Sequence, residues 1–246
     1  MKALEMYEMG SPDWVTQVFS TGPARSNKGH SKHTQYHQMF VPSMNVLMGA
    51  QGRREACALL ALQYLHTLGL IARFKAQPFV TTEEEFGAQI FPDFLVQLPD
   101  GRLLVIEIKT ERFITHALKL VFDRNIERFS NVGMTYLVWS DKQPLNHAMR
   151  HHLIQMQRFC GEDIPRTEID GLTKLVSQRR AVKLSEIYDA GFDLGCIYAA
   201  AWEGKVFASW SEAFSSTSKI TPWRTENLES TFLDGKRSSN EWWDSL

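Results

Sequence analysis

A mixed α/β fold, with one sheet flanked by helices and a smaller helical domain behind it, is predicted by three observations. Densely apolar helical spacing gives way after Gly69 to short segments rich in β-branched and aromatic residues. The elements then follow in the order helix, strand, hairpin, helix, strand, which closes an α/β layer structure near Asp141. Beyond that point the texture changes to short helical segments and a single strand.

The first element, over residues 1–40, reads as a basic arm. From Val15 to Arg54 there is no Asp or Glu, while Arg25, Lys28, Lys32, Arg53 and Arg54 fall there together with His30, His33 and His37. These basic residues are candidates for DNA phosphate contacts, and a solvated, partly disordered arm is the competing reading. "RREACALLALQYLHTLGL" is a largely buried helix stopped by Gly69, with Glu55 in its first turn. "IARFKAQPFV" is a strand with Pro78 near its end, and "EEEFGAQI" an exposed connection. "FPDFLVQLPDGRLLVIEIKT" is a hairpin turning at Pro99 to Gly101. "FITHALKLVFDRNIERFSN" is an amphipathic helix and "GMTYLVWS" a strand, which together give a domain over 41–143. "PLNHAMRHHLIQMQRFCG" supplies a linking helix over 144–164. In 165–223 the segments "EIDGLTKLVSQRRA", "LSEIYDAG", "DLGCIYAAAWEG" and "KVFASW" resemble a winged helix, and 224–246 is a polar tail with isolated aromatics.

Composition narrows the class. At 246 residues, 43% of them hydrophobic, the chain holds one large domain or one domain with a small companion. A formal net charge of -1 gives no global attraction to nucleic acid, so any such affinity is local. Cys57, Cys160 and Cys196 are far apart, against both a disulfide framework and a cysteine zinc site, and they fit a reducing compartment. No apolar signal core opens the chain and no run approaches the roughly 18 apolar residues of a membrane span. A cytoplasmic protein with no membrane partner is the expectation.

The hairpin carries the chemistry. Side chains alternate along a strand, so Val105, Glu107 and Lys109 share one face and Leu104, Ile106 and Ile108 the other. Folding back about Pro99 to Gly101 brings Asp93 opposite Glu107, and the two carboxylates face the same way if the loop has an odd number of residues or a bulge at Gly101. Two converging carboxylates repel unless a cation or proton is shared, and such oxygen donors suit Mg²⁺ or Mn²⁺. Lys109, on the same face, places an ammonium where it holds or helps deprotonate a water aimed at a phosphodiester. Charges at strand ends that are merely solvated are the competing reading; Glu55 adds a further carboxylate on the preceding helix.

These residues resemble the PD-(D/E)xK nuclease superfamily, and more closely the TnsA-like endonuclease subunit of heteromeric cut-and-paste transposases. The matching features run in order: the basic stretch, the Pro-Ser segment "FVPSMN", the Glu55 helix, "AQPF" with Gln77, Asp93, and Glu107 with Lys109. The helix begins "RREACALL" rather than with Ser-x-x-Glu, a departure at Glu55. The resemblance implies a restriction-endonuclease-like sheet followed by a winged-helix-like domain. Its catalytic set is Glu55, Asp93, Glu107 and Lys109. Mg²⁺, with Mn²⁺ as substitute, is held by Asp93, Glu107, Glu55 and the Ile108 backbone carbonyl, and Gln77 is supporting. It further implies cleavage of the 5′ strands of double-stranded DNA at transposon ends. The partners are an integrase-type transposase subunit and an ATPase regulator, in a prokaryotic, nucleoid-associated setting. A stand-alone restriction- or repair-type nuclease and a catalytically silent DNA-end-binding adaptor remain alternatives.

Other residues carry less. His147 and His151 have the spacing of paired zinc ligands, but "HAMRH" lacks the intervening Glu of a metalloprotease. Trp202, Trp210 and Trp223 are expected in a core. Glu83 to Glu85 form a solvated loop, with Glu85 a reserve ligand, and Trp242 and Trp243 a docking surface for a partner.

Overall fold

The computed structural model describes residues 9–24, 35–82, 89–142, 144–224, 228 and 232–233. In chain order the elements are α1 (Pro12–Ser20), β1 (Tyr36–Val41), β2 (Val46–Gln51), α2 (Gly52–Thr67), β3 (Arg73–Ala76), β4 (Thr81–Thr82), β5 (Gln89–Ile90), β6 (Phe94–Gln97), β7 (Leu103–Lys109), α3 (His116–Ser130) and β8 (Met134–Ser140). Then follow α4 (His147–Phe159), α5 (Arg166–Arg179), β9 (Val182–Lys183), α6 (Leu184–Asp189), α7 (Leu194–Trp202), β10 (Val206–Ala208) and β11 (Lys219–Pro222). The fold is mixed α/β, and no sheet among the described residues closes into a barrel.

The central sheet has the order β3-β6-β7-β8, antiparallel through β7 and parallel between β7 and β8. A parallel neighbour needs a crossover, and α3 supplies it. The register makes one face of Phe74, Phe94, Val96, Leu104, Ile106, Ile108, Leu137 and Trp139, all packed in the core that holds α2 and α4. The other face offers Leu95, Leu103, Val105, Met134 and Tyr136 to Phe122 and Phe129 of α3 and to Trp14, Val15 and Val18 of α1.

Helix starts are set by side-chain caps. Ser11 accepts the Trp14 amide with Pro12 in the first turn, Thr115 accepts that of Leu118, Asn146 that of Met149 and Asp193 that of Cys196. Strand β3 is shorter than its apolar pattern, because Gln77 adopts a left-handed φ of 47° and Pro78 follows.

The basic arm expected over residues 1–40 contains structure that its charge pattern concealed. Helix α1 buries three apolar side chains, and β1 pairs with β2 in a hairpin whose turn is the "PSM" segment, Pro42–Met44. Arg25, Lys28, Lys32, His30 and His33 lie outside the described residues, as do Glu83 to Glu85 and the Trp242-Trp243 pair.

The main apolar core does not stop at the linking helix. It runs from α2 and α4 into α5, α6, α7 and β9 to β11. Tyr64 of α2 stacks on Trp202 of α7 with ring centroids 5.3 Å apart, and its hydroxyl donates to the Ala201 carbonyl at 3.0 Å. Trp202 and Trp210 are buried as expected. His152, one of the three histidines on α4, is also interior: its ring bonds the Tyr198 hydroxyl at 2.9 Å and the Glu212 carbonyl at 2.8 Å. Desolvation there holds its pKa below the ordinary histidine value, so it serves packing as a neutral ring. Tyr64→Phe is expected to lower stability by about 1 kcal/mol in denaturant unfolding, the net worth of one buried hydrogen bond. An unchanged midpoint contradicts that role for the hydroxyl.

Candidate functional site

The site is built by the end of the β6-β7 hairpin. Its loop, Pro99 to Gly101, has an odd number of residues: the Leu98 amide donates to the Arg102 carbonyl at 2.9 Å, and Gly101 takes the left-handed φ of 91° that closes the turn. Every paired residue of β6 and β7 follows from that loop, and extending the ladder one step past Phe94 and Ile106 sets Asp93 against Glu107. The Asp93 Oδ2 accepts the Ile108 amide at 2.7 Å, so the carboxylate is tied to the strand that carries its partner.

Lys109 lies on the Glu107 face and its Nζ pairs with Glu107 Oε1. Burial lowers the pKa of Lys109, but Glu107, Asp93 and Glu55 more than offset it, and the net direction is upward. Lys109 therefore stands in the site as an ammonium. For Asp93 the causes reinforce one another: burial comes first, then repulsion from Glu107 and from Glu55, and together they push its pKa well above the ordinary carboxylate value against the Ile108 hydrogen bond and Lys109. Tyr136, buried under the same face, is pushed up by burial and by the charges of Glu107 and Asp93.

Glu55 reaches the site by charge from the first turn of α2, while its Oε2 accepts the Gln51 amide at 2.7 Å and so caps its own helix. The Glu55 charge raises the pKa of both Asp93 and Lys109, so Glu55 lies within electrostatic reach of those two residues. Gln77 sits next to Asp93: its amide donates to the Asp93 carbonyl at 2.8 Å, it is buried, and its side-chain nitrogen has no hydrogen-bond partner. Ile108 turns its side chain into the opposite face, between Glu107 and Lys109. Arg53 is exposed at the start of α2, whereas Arg54 is committed to Asp141 at 3.1 Å.

That last contact belongs to a group the sequence reading passed over. Asp141 also accepts the Glu111 amide at 2.8 Å, and Glu111 takes the Ser140 hydroxyl at 3.3 Å and Lys142 at 3.4 Å. This network ties α2, β7 and β8 together beside the site. Its only sequence signal is the continued alternation of Glu107, Lys109 and Glu111. Lys75 was missed as well. It is buried on β3, where it donates to the Val18 carbonyl and, at 2.7 Å, to that of Thr21, closing the C-terminal end of α1. Burial pulls its pKa down to about 8.

Asp93 and Glu107 are oxygen donors of the kind that would suit a hard divalent cation. Among the described residues no three His, Cys, Asp or Glu side chains form a metal cage. Two opposed carboxylates are what Mg²⁺ takes when water and substrate phosphate complete its octahedron, and a cation would offset both the burial and the repulsion from Glu107 and Glu55 that raise the Asp93 pKa. Mg²⁺ or Mn²⁺ is therefore expected to raise the melting temperature of the wild type in differential scanning fluorimetry and not that of Asp93→Asn. The same substitution tests the electrostatics without metal. Because the folded pKa of Asp93 is raised, the folded state binds the extra proton, and stability is lost as pH climbs from about 3.9, the unfolded value, through the raised one. In EDTA, Asp93→Asn removes that loss and is the more stable protein at pH 7. A less stable variant there refutes the repulsion.

Neither the protein-family models nor the curated proteins contain a match to this chain.

Proposed function

We propose that this chain is a metal-dependent DNA endonuclease of the PD-(D/E)xK type, resembling the TnsA-like subunits that cut the 5′ strands at transposon ends. One observation carries the reading: the β6-β7 register sets Asp93 opposite Glu107 with Lys109 on the same face and Glu55 within electrostatic reach. The order α2, β3, β6, β7, α3, β8, three antiparallel strands and a parallel fourth, supports the restriction-endonuclease-like reading. Helices α5, α6 and α7 beside the β10-β11-β9 sheet support the winged-helix-like one.

A bound Mg²⁺ or Mn²⁺ would supply a Lewis acid for the phosphoryl oxygen and for activating water. Asp93, Glu107 and the Ile108 carbonyl would hold it, with Glu55 as an outer carboxylate. Lys109 acts as a fixed cation. Its raised pKa favours stabilising the negative charge that develops on the phosphorane oxygens over accepting a proton. Burial of Asp93 and its tie to Ile108 restrict the carboxylate to one orientation, so the attack geometry needs little reorganisation.

With a net charge of -1, the protein has few phosphates to neutralise, and the isolated chain is expected to bind DNA weakly at physiological salt. Recruitment then falls to partners, for which an integrase-type transposase and an ATPase are the proposed candidates. Cleavage of end-containing and random duplexes, with and without the products of neighbouring genes, decides between the readings. Strand-specific cutting at element ends that requires those products supports the transposon role. Efficient sequence-specific double-strand cutting by the chain alone assigns it to the restriction type.

A further inference from the structure

We propose that a groove along the open edge of β3 receives an unstacked nucleobase of the DNA strand held at the Asp93 site. The inference rests on the nuclease reading and extends it to how substrate is gripped. Strand β3 is the edge of the central sheet, and beside it lies a cavity of about 520 Å³, inside the range of roughly 300 to 1,000 Å³ of small-molecule sites. Phe19 and the turn after α1 form one wall, Tyr36 and Leu47 of the β1-β2 hairpin the other, and Phe74, Lys75 and Gln77 line the β3 side.

Three features suit a base. First, the rim is aromatic and apolar where it meets solvent: Tyr36 is 39% and Leu47 60% exposed. The Tyr36 ring lies over Gly49, where an added Cβ would come within 2.0 Å of its hydroxyl, so glycine is required for the ring to lie there. An exposed ring of this kind stacks on any base without sequence preference.

Second, the lining has no Asp or Glu. The groove walls themselves therefore carry no carboxylate to repel a nucleic-acid strand, and buried Lys75 adds positive potential. Third, Gln77 is only 4% exposed and its side-chain nitrogen lacks a partner. An unmet donor of that kind is costly in a folded protein; a turn of the Gln77 side chain into the groove it lines would let a base carbonyl or ring nitrogen satisfy it. Gln77 also links the groove to the chemistry, because its own amide bonds the Asp93 carbonyl at 2.8 Å. In this proposal a base seated in the groove leaves its strand to run on past Gln77 towards Asp93. An added peptide strand is the rival occupant of a sheet edge, but the Ala24 amide already takes the Gln77 carbonyl at 2.8 Å.

The test uses the full chain in EDTA at low salt. Fluorescence anisotropy compares a labelled thymidine octamer with an octamer of abasic tetrahydrofuran residues, which keeps the phosphates and removes the bases. The wild type is expected to prefer the thymidine strand about tenfold, the scale of one base-aromatic stack. Tyr36→Ala should abolish that preference while leaving abasic affinity unchanged, and Tyr36→Phe should restore it. Leu47→Ser, at a more exposed position, gives a second reading and should weaken the preference in the same direction. Equal wild-type affinity for the two strands, no binding of either, or a preference that survives both Tyr36→Ala and Leu47→Ser overturns the groove. Nicking measured in parallel separates the two ideas. Nicking without base preference defeats the groove alone, whereas base preference without nicking, even with Mn²⁺ and the products of neighbouring genes present, keeps the groove and defeats the nuclease.

Discussion

Asp93→Ala and Lys109→Ala should each reduce metal-dependent nicking of DNA by about a hundredfold to a thousandfold, the usual cost of removing one preorganised electrostatic group from a transition state. The two losses have different causes. Without Asp93 the proposed cation would lose a ligand and Ile108 loses the acceptor of its amide, whereas without Lys109 the proposed cation would remain held but Glu107 loses its counter-ion. The Asp93 variant should therefore lose the Mg²⁺-induced rise in melting temperature and the Lys109 variant should keep it. The Asp93 variant should keep its stability, because Asp93 is an electrostatically unfavourable carboxylate in the absence of metal, whereas the Lys109 variant loses a charge that offsets Glu107 and should fold but melt lower. Nicking at the wild-type rate by either variant, with protein purified free of contaminating nuclease, removes that residue from the catalytic assignment.

A chain ended at residue 164 is expected to lose cooperative unfolding. Its missing part supplies Trp202 against Tyr64, Tyr198 against His152 and Phe159, and Trp210 against His152. Each fully buried large side chain contributes about 1.5–3 kcal/mol, so several lost together rival the net stability of roughly 5–15 kcal/mol available to a domain. Thermal melts followed by near-ultraviolet circular dichroism check this. A sharp transition in the truncated chain, like that of the full protein, contradicts a shared core.

The clustering of Asp93, Glu107 and Lys109 was legible because it depends on parity alone. Alternation along "LLVIEIK" and an odd three-residue loop place Asp93 with Glu107 and Lys109 whatever surrounds them, and the structure follows that arithmetic. The N-terminal region was less legible. The missing acids of residues 15–54 read as a phosphate-binding arm, yet the apolar Trp14, Val15 and Val18 of α1 close one face of the sheet. Their period is short and flanked by polar residues, so charge outweighed packing in the reading. The continuity of the core was also invisible, since Tyr64 and Trp202 are separated by more than half the chain and no local pattern joins them. Gln77 illustrates a third limit: its left-handed backbone and unpartnered side-chain nitrogen come from tertiary context, which propensity does not encode. The Arg54 pairing with Asp141 likewise turns an apparent phosphate contact into a brace for the helix that carries Glu55.

In the proposed nuclease, Asp93 and Glu107 would hold the divalent cation used in phosphodiester hydrolysis. Anomalous diffraction from crystals soaked in Mn²⁺ needs neither a partner protein nor a known DNA end. The expected result is a Mn²⁺ peak between the Asp93 and Glu107 carboxylates, about 2.0–2.3 Å from their oxygens, with the Ile108 carbonyl in the coordination sphere and no peak in Asp93→Ala crystals. A fully soaked crystal with no density there, and Glu107 still paired to Lys109 as in the metal-free protein, would contradict it.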